Sequence, residues 1–262
     1  MQLAHRAALN GAQLDEIDPR INIKGIEGGA GKDTVTSVST GIGDGTRITG
    51  KRRDSVEINV KFSLNIRRDA ITKRAAIMEA INAWAVKGGW LTVNYKPNRK
   101  LYVDEITTPG EGDLWKRFDE YTITFKANAV PYWQEENAVT ARSGSGNNGS
   151  GVIQVSGSAK TMADAELQNL SGATINNASI TIGEKTMTFE NLGMGNGESL
   201  VIDHAYMYGK YVIRMRVGGR SVMANRTDGS ADEFEIEPGP NVFGFGAQRA
   251  CRLTVSCRGR FV

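Results

Sequence analysis

The glycine-rich segment from Gly28 to Asp33 is the first place in this sequence to look for chemistry. Its Gly-Gly-Ala-Gly-Lys run superficially resembles a phosphate loop, in which glycine amides surround a nucleotide phosphate and a lysine neutralises it. That motif also needs a glycine at position 26 and a serine or threonine at position 33, where this chain has Ile26 and Asp33. An aspartate would repel phosphate, and no helical pattern follows. We therefore predict no nucleotide site.

The spacing of histidines, carboxylates and cysteines in the sequence gives little support for acid–base catalysis or metal binding. The two histidines, His5 and His204, have no carboxylates or cysteines at the spacing of a zinc site. Asp203 and His204 are neighbours at a strand end, so their side chains point apart. No serine lies in a G-x-S-x-G turn, and the adjacent pairs Asp104-Glu105 and Asp119-Glu120 do not resemble the facing carboxylates of a glycosidase. The sequence predicts no enzyme, no cofactor and no metal.

The two cysteines, Cys251 and Cys257, lie in one alternating strand. Six residues of strand separate them by roughly 20 Å. A disulfide needs Cα atoms within about 7 Å of each other. We therefore predict two buried, reduced thiols.

Two clusters of side chains are candidates for binding. Basic residues bracket a long predicted strand, either as solvated strand ends or as a subunit-interface patch: Lys51, Arg52, Arg53, Arg67 and Arg68. Three tyrosines surround Gly209, either packed at a turn or exposed as a platform for a sugar or a partner protein: Tyr206, Tyr208 and Tyr211.

The composition of the chain limits its partners and its compartment. With 262 residues it is long enough for two domains. Its 32 basic and 29 acidic residues nearly balance, which argues against a dedicated nucleic-acid binder. No apolar run approaches the roughly 20 residues of a membrane helix, and the first ten residues do not follow a signal-peptide pattern. These features predict a protein without membrane insertion that is made in the cytosol.

The elements that position these residues centre on the stretch from Val56 to Tyr95. From Val56 to Ile66 every second residue is apolar, which predicts a long strand with one buried face. A helix follows, with Asp69 as its N-cap, and Gly88-Gly89 ends it before a return strand from Trp90 to Tyr95. The unit is a β framework with one principal helix.

The rest of the chain contains two glycine-rich segments and a region of short strand patterns. Residues 27–50 are rich in glycine and threonine, and their conformation is left open: a structureless loop of this length is uncommon and usually functional, and the alternative for part of it is a short hairpin through Val35 and Val38. Residues 134–151 predict a flexible Gly/Ser/Asn linker between a first domain, 1–133, and a second, 152–262. Short, evenly spaced strand patterns in the second domain predict a β-sandwich or jelly roll.

Several segments together resemble the distal tail protein (Dit) family of long-tailed siphophages and prophages of Gram-positive bacteria. The resemblance covers nearly the whole chain and consists of hydrophobic and turn patterns. It is carried by Arg47–Arg53, the strand to Ile66, Ala83-Trp84-Ala85, Gly88–Tyr95, Tyr121–Phe125, Pro131–Trp133, Phe234–Val242 and Arg260–Val262.

This resemblance implies a mainly β protein with a tail-tube-like β-sandwich or barrel flanked by a helix, then a galectin-like β-sandwich. It implies a baseplate hub at the virion tail tip, in which six copies form a ring that lets DNA pass. The implied partners are the tail-tube protein and a tail-associated lysin or fibre protein, with tape-measure and receptor-binding proteins as further candidates.

One departure from sugar-binding galectins is clear. All four tryptophans precede residue 134, and the second domain lacks a His-x-Asn-x-Arg strand. Galectin-type sugar recognition is therefore not expected, and a docking platform is. The alternative left open is a non-catalytic adaptor that binds cell-wall carbohydrate.

Overall fold

The computed structural model describes residues 5–39, 46–66, 71–110, 120–207 and 210–262. The chain divides into two compact units, Met1–Trp133 with Val262, and Gln134–Phe261. No helix among the described residues is long and apolar enough to span a membrane.

Two antiparallel sheets and one long helix build the N-terminal unit. The elements are β1 (Ala7–Leu9), β2 (Ala12–Gln13), α1 (Leu14–Ile17), β3 (Ile21–Ser39), β4 (Thr46–Leu64), α2 (Ile71–Ala85), β5 (Gly89–Val93), β6 (Arg99–Val103), β7 (Glu105–Thr107) and β8 (Glu120–Ala127). One sheet has the order β3-β4-β8-β7, and the other contains the run β6-β5-β1-β2.

The alternation in β4 places its apolar residues in the core, as predicted. Val56, Ile58, Val60 and Phe62 are each 0% exposed, while the residues between them face solvent. The strand ends at Leu64, so Ile66 lies beyond it. This buried face is what holds the register of the sheet, because a one-residue slip would turn every apolar side chain outward.

Helix α2 covers the buried face of the four-stranded sheet. Ile77, Met78 and Ile81 recur at helical spacing and are buried. Trp84 contacts the ring of Phe125 in β8 edge-on, with ring centroids 6.0 Å apart. The helix ends before two glycines with positive φ, as the sequence predicts, whereas its proposed N-cap lies outside the described residues.

Residues 27–50, whose conformation the sequence leaves open, are strand in their described part. Residues 27–39 and 46–50 continue β3 and β4, which pair as one long antiparallel ladder. Val35 and Val38 both lie in β3, so they do not form a short hairpin of their own. The glycines lie at irregularities in the ladder, for example between Gly28 and Gly31. Threonine and valine recur after these glycines, in residues 34–38, and both suit a strand.

The C-terminal unit is a β-sandwich. Its elements are β10 (Val139–Val155), β11 (Thr161–Asn169), β12 (Ala178–Ile182), β13 (Lys185–Phe189), β14 (Ser199–Met207), β15 (Lys210–Val217), β16 (Arg220–Ser221), a 3-10 helix (Met223–Asn225), β17 (Glu235–Ile236), β18 (Gly239–Cys257) and β19 (Arg260–Phe261); β9 (Trp133–Glu135) precedes them in the chain.

Strand β18 organises this unit. β10 pairs along one edge of it, and β12 and β11 pair along the other edge at its two ends. A wide bulge between Gly246 and Cys251 separates the two halves. Side chains from both halves meet in a single hydrophobic core, so one bent strand contributes to both layers.

The prediction of a flexible linker over 134–151 is wrong, because residues 139–151 belong to the 17-residue strand β10. Gly149 and Gly151 lie opposite Phe245 and Phe243 of β18. A Cβ atom on Gly151 would lie 2.5 Å from Cζ of Phe243, so the phenylalanine ring occupies the space above the glycine backbone. Glycine here makes room for an aromatic neighbour rather than for flexibility.

Candidate assembly surfaces

A hairpin arm extends the N-terminal sheet. Within the described residues, β8 pairs with β4 only from Val56 to Ser63, while β3 continues to pair with β4 as far as Thr46. Residues 46–55 of β4 and their partners in β3 therefore form a two-stranded arm, which carries the half-exposed side chain of Val35. A two-stranded ribbon has little core of its own and gains stability from packing against a partner.

Arg53 anchors the base of this arm within the subunit. Its side chain is 7% exposed, and its Nε donates to the carbonyl oxygen of Pro131 at 3.1 Å. The guanidinium also lies 3.4 Å from Asp33 and stacks over the ring of Tyr132. It crosses the backbone at Gly31, where a Cβ atom would lie 2.3 Å from a guanidinium nitrogen. Arg53 is thus engaged by its own unit.

The outer edge of β3 is open. Among the described residues β3 pairs with β4 alone, so its opposite edge has no strand partner, although the carbonyl oxygens of Gly28 and Gly29 accept hydrogen bonds from the Tyr95 hydroxyl and from Nε1 of Trp133. Proteins seldom leave so long an edge without a use, because it invites pairing with another chain.

Ion pairs join neighbouring strands on the solvent face of the four-stranded sheet. Lys61 pairs with Glu27 at 2.7 Å, and Lys126 pairs with Glu105 at 3.0 Å. The hydrogen bond from Lys126 lowers the pKa of Glu105, and the bond to Glu27 raises the pKa of Lys61. Lys61 and Lys126 are thus each paired with a glutamate of the same face.

The candidate acid–base groups of the C-terminal unit form hydrogen bonds and ion pairs within that unit. Asp164 accepts hydrogen bonds from the backbone N–H and from Nδ1 of His204, both at 2.9 Å. Asp203, the neighbour of His204, instead pairs with Arg214 and Arg216 of β15. The two adjacent side chains therefore point apart, as predicted. Among the described residues, no group of three His, Cys, Asp or Glu side chains is placed to hold a metal ion.

The two thiols are also structural. Cys251 and Cys257 are buried and unpaired, which confirms the prediction from their spacing. Burial raises the pKa of each thiol to about 11. They are poor nucleophiles at neutral pH.

Comparison with known proteins relates this fold to phage tail tips. No protein-family model matches the sequence, and no curated protein does. Among solved structures, the crystal structure of the Dit protein of phage SPP1 aligns over 98% of this chain and 99% of that one, with a TM-score of 0.70 and 16% identity. It is described as a paradigm of the hub adsorption apparatus in phages that infect Gram-positive bacteria. The chain has the fold of a phage distal tail protein.

Two structures of the phage P2 baseplate in its activated conformation are also similar to this chain. The structure with Ca aligns over 100% of both chains at a TM-score of 0.52 and 7% identity. The structure with Sr aligns over 97% of both chains at 0.51 and 6%. The predicted fold class, a mainly β chain with one principal helix, a tail-tube-like first part and a galectin-like sandwich, is confirmed.

The distal tail fold places the predicted binding residues as follows. Lys51 and Arg52 lie in the arm, opposite Val35 and Thr34, and their side chains are outside the described part of the structure. Arg67 and Arg68 also lie outside the described residues. The structure therefore does not show the five basic residues gathered into one patch.

The tyrosine cluster is only partly described. Tyr206 in β14 and Tyr211 in β15 lie directly opposite each other in the ladder. Their side chains, and all of Tyr208, lie outside the described part of the structure. The choice between a packed turn and an exposed platform stays open as predicted.

The feature that the sequence reasoning missed is the pair of open sheet edges, on β3 and on β10. A signal is present in residues 139–155, which contain one charged residue and no proline, and both segments contain few bulky residues. Their glycines favour a loop and a linker when the sequence is considered alone.

Proposed function

We propose that this protein is the structural hub of a phage tail tip, in which several copies, six by analogy with the distal tail family, close into a ring. The observation that carries the proposal is the fold match over the full length of the hub protein of phage SPP1. Both the ring and its order go beyond that match.

The open edge of β3 and the hairpin arm supply a physical route to the ring. A subunit with a free edge on one side can pair with a neighbour, and closing the ring satisfies every edge without leaving one exposed. The arm also needs a partner surface, because the stability of a two-stranded ribbon on its own is marginal.

The hub is proposed to pass DNA and to connect other tail proteins. Lysines paired with glutamates, as Lys61 and Lys126 are, would hold a phosphate backbone weakly, because affinity for DNA comes mainly from unpaired lysine and arginine. The proposed neighbours are the tail-tube protein on one side of the ring and a fibre or lysin protein on the other, with tape-measure and receptor-binding proteins as further partners. The location that follows is the virion tail tip, after assembly in the bacterial cytoplasm.

We also propose that the role is structural and not enzymatic. The carboxylates that could act as acids or bases have structural partners instead. Asp104 accepts the backbone N–H groups of Asn128 and Ala129 at 3.0 and 2.8 Å, and Asp203 holds two arginines.

Native mass spectrometry and electron microscopy of purified protein and purified tails test this function. A hexamer has a mass of about 170 kDa, six times the chain mass of 28.4 kDa. Val35→Asp, which places a charge on the arm, should shift the ring toward the monomer by at least about tenfold in dissociation constant. Val86→Asp is the matched control, since Val86 is an exposed valine at the end of α2.

A protein that stays monomeric at all concentrations and is absent from purified tails would refute the hub. Equal effects of the two valine substitutions would refute the role given to the arm while leaving the hub itself standing.

A further inference from the structure

The outer edge of β10 is an unprotected strand edge in the C-terminal unit. β10 pairs with β18 along one edge, and within the described residues no other strand pairs with it. From Asn148 to Val155 the pairing is regular, which gives a straight edge of roughly 26 Å at about 3.3 Å per residue.

The opposite border of the same sheet is covered, unlike the β10 edge. β13 is the strand at that border, and the loop after the 3-10 helix lies along its outer edge. The N–H groups of Thr227 and Ala231 donate to the carbonyl oxygens of Thr188 and Thr186, each at 2.9 Å. No described residue covers β10 in this way.

The direction of the free main-chain groups follows from one contact. The N–H of Gly183, beyond β12, donates to the carbonyl oxygen of Val242 at 2.8 Å, so the main-chain groups of Val242 face β12. Main-chain groups of successive strand residues face opposite edges, so those of Gly151, which lies opposite the next residue of β18, point toward β18. Ser150 and Val152 therefore direct their N–H and C=O groups away from the sheet.

The composition of this edge lacks the usual protection. Lysine, proline and bulges discourage pairing at natural edges. Residues 148–155 read Asn-Gly-Ser-Gly-Val-Ile-Gln-Val, without a charge or a proline, and the ladder irregularities of β10 lie before Asn148. Next to this edge, Val152 and Val242 lie opposite each other and are 58% and 62% exposed. A pairing strand would find backbone partners and one apolar contact.

We propose that the β10 edge from Asn148 to Val155 is a docking site for an extended, uncharged segment of another tail protein, which adds a strand to the sandwich and places an aliphatic side chain on Val152 and Val242. The partner is not a second β10 edge, because two copies of one edge pair only about a twofold axis, and the proposed ring with different neighbours on its two faces has no such axis. The β3 edge of a neighbouring copy is the edge that we propose closes the ring. That choice of partner rests on the proposed hub function.

Proline scanning along the edge tests the site without disturbing the sandwich. Ser150→Pro removes an N–H that faces solvent, and proline is tolerated at such edge positions. Thr140→Pro is the matched control, because Thr140 is exposed on the same strand but lies outside the proposed segment. Val152→Lys is a second variant that adds a charge without changing the backbone.

The assay is photocross-linking in assembled tails. p-Benzoylphenylalanine at position 152 should cross-link to an extended segment of another tail protein, identified by mass spectrometry. Ser150→Pro and Val152→Lys should each reduce incorporation of that protein by at least about tenfold, while Thr140→Pro leaves it unchanged.

Ring mass and melting temperature, measured on the same samples, separate the possible failures. With an intact ring, a cross-link to a second copy of this chain, or no cross-link at all, overturns the docking site. Unchanged partner incorporation in both edge variants overturns it as well. A chain that never enters tails overturns the hub and, with it, this choice of partner.

Discussion

Replacing Asn169 by alanine should destabilise the C-terminal unit more than any surface change. The side chain is 0% exposed at the end of β11. Its Oδ1 accepts the backbone N–H of Ser171 at 2.9 Å and the hydroxyl of the same serine at 2.7 Å. Its Nδ2 donates to three carbonyl oxygens, those of Ala173 at 2.7 Å, Met194 at 3.0 Å and Gly195 at 3.0 Å.

The magnitude follows from counting the groups left without a partner. The hydroxyl of Ser171 already lies 3.1 Å from the Ala173 carbonyl and can continue to serve it. The carbonyls of Met194 and Gly195 lose this donor but keep the backbone N–H groups of Ile175 and Glu198, so only the Ser171 N–H is left without an acceptor. One buried polar group without a partner costs about 1–3 kcal/mol, and the weaker hydrogen bonding of the two carbonyls adds about 1 kcal/mol, so we expect a loss of about 2–4 kcal/mol, or a fall of roughly 6–12 °C in Tm.

Two probes distinguish a local from a global effect. All four tryptophans lie in the first 133 residues, so tryptophan fluorescence reports the N-terminal unit. Hydrogen exchange in residues 161–169 reports the C-terminal unit. Asn177→Ala is the control, because the Asn177 side chain is exposed. A loss below about 1 kcal/mol for Asn169→Ala would refute the reasoning, since satisfied buried networks are costly to break.

Three further predictions concern packing, pH and reactivity. Gly151→Val should lower stability by about 1–3 kcal/mol in chemical denaturation because a phenylalanine ring fills the site, whereas Gly144→Val, with open space around it, should change little. The hydrogen bonds from Arg20 lower the pKa of Asp18, so the stability that this pair contributes above about pH 4 should be lost as the pH falls further. Asp18→Asn should remove that part of the pH dependence of the free energy of unfolding, measured by chemical denaturation from pH 6 to pH 2. Cys251 and Cys257 should not react with Ellman's reagent at pH 8 until urea unfolds the protein; rapid native reaction would contradict their burial.

The elements that sequence reasoning predicted are those whose burial alternates regularly. β4 and β8 each place every second residue in the core, and such a period is visible in one sequence. Helix α2 was found by its repeating Ile77, Met78 and Ile81. Buried Arg74 in the same helix could not be predicted, because its contact with the Tyr121 hydroxyl joins residues 47 positions apart.

The elements that were missed are the glycine-rich strands. Glycine lowers strand propensity when it is considered alone. At Gly31 and Gly151, however, a bulky side chain from a paired strand lies across the backbone, a guanidinium in one case and a phenylalanine ring in the other. The information that turns these segments into strands is therefore carried by Arg53 and Phe243, at distant places in the sequence.

The candidate site was harder to predict than the fold, for a related reason. A strand forms the edge of a sheet when no further strand pairs with it. The sequence of residues 148–155 does not indicate which side of β10 lacks a partner. The composition becomes informative only once the pairing is known, because an uncharged edge without proline is unremarkable inside a sheet and exceptional at its border. If Ser150 lay between two strands, Ser150→Pro would break a ladder and unfold the sandwich. At an open edge it should leave the melting temperature nearly unchanged, so this one substitution tests the topology before any partner is known.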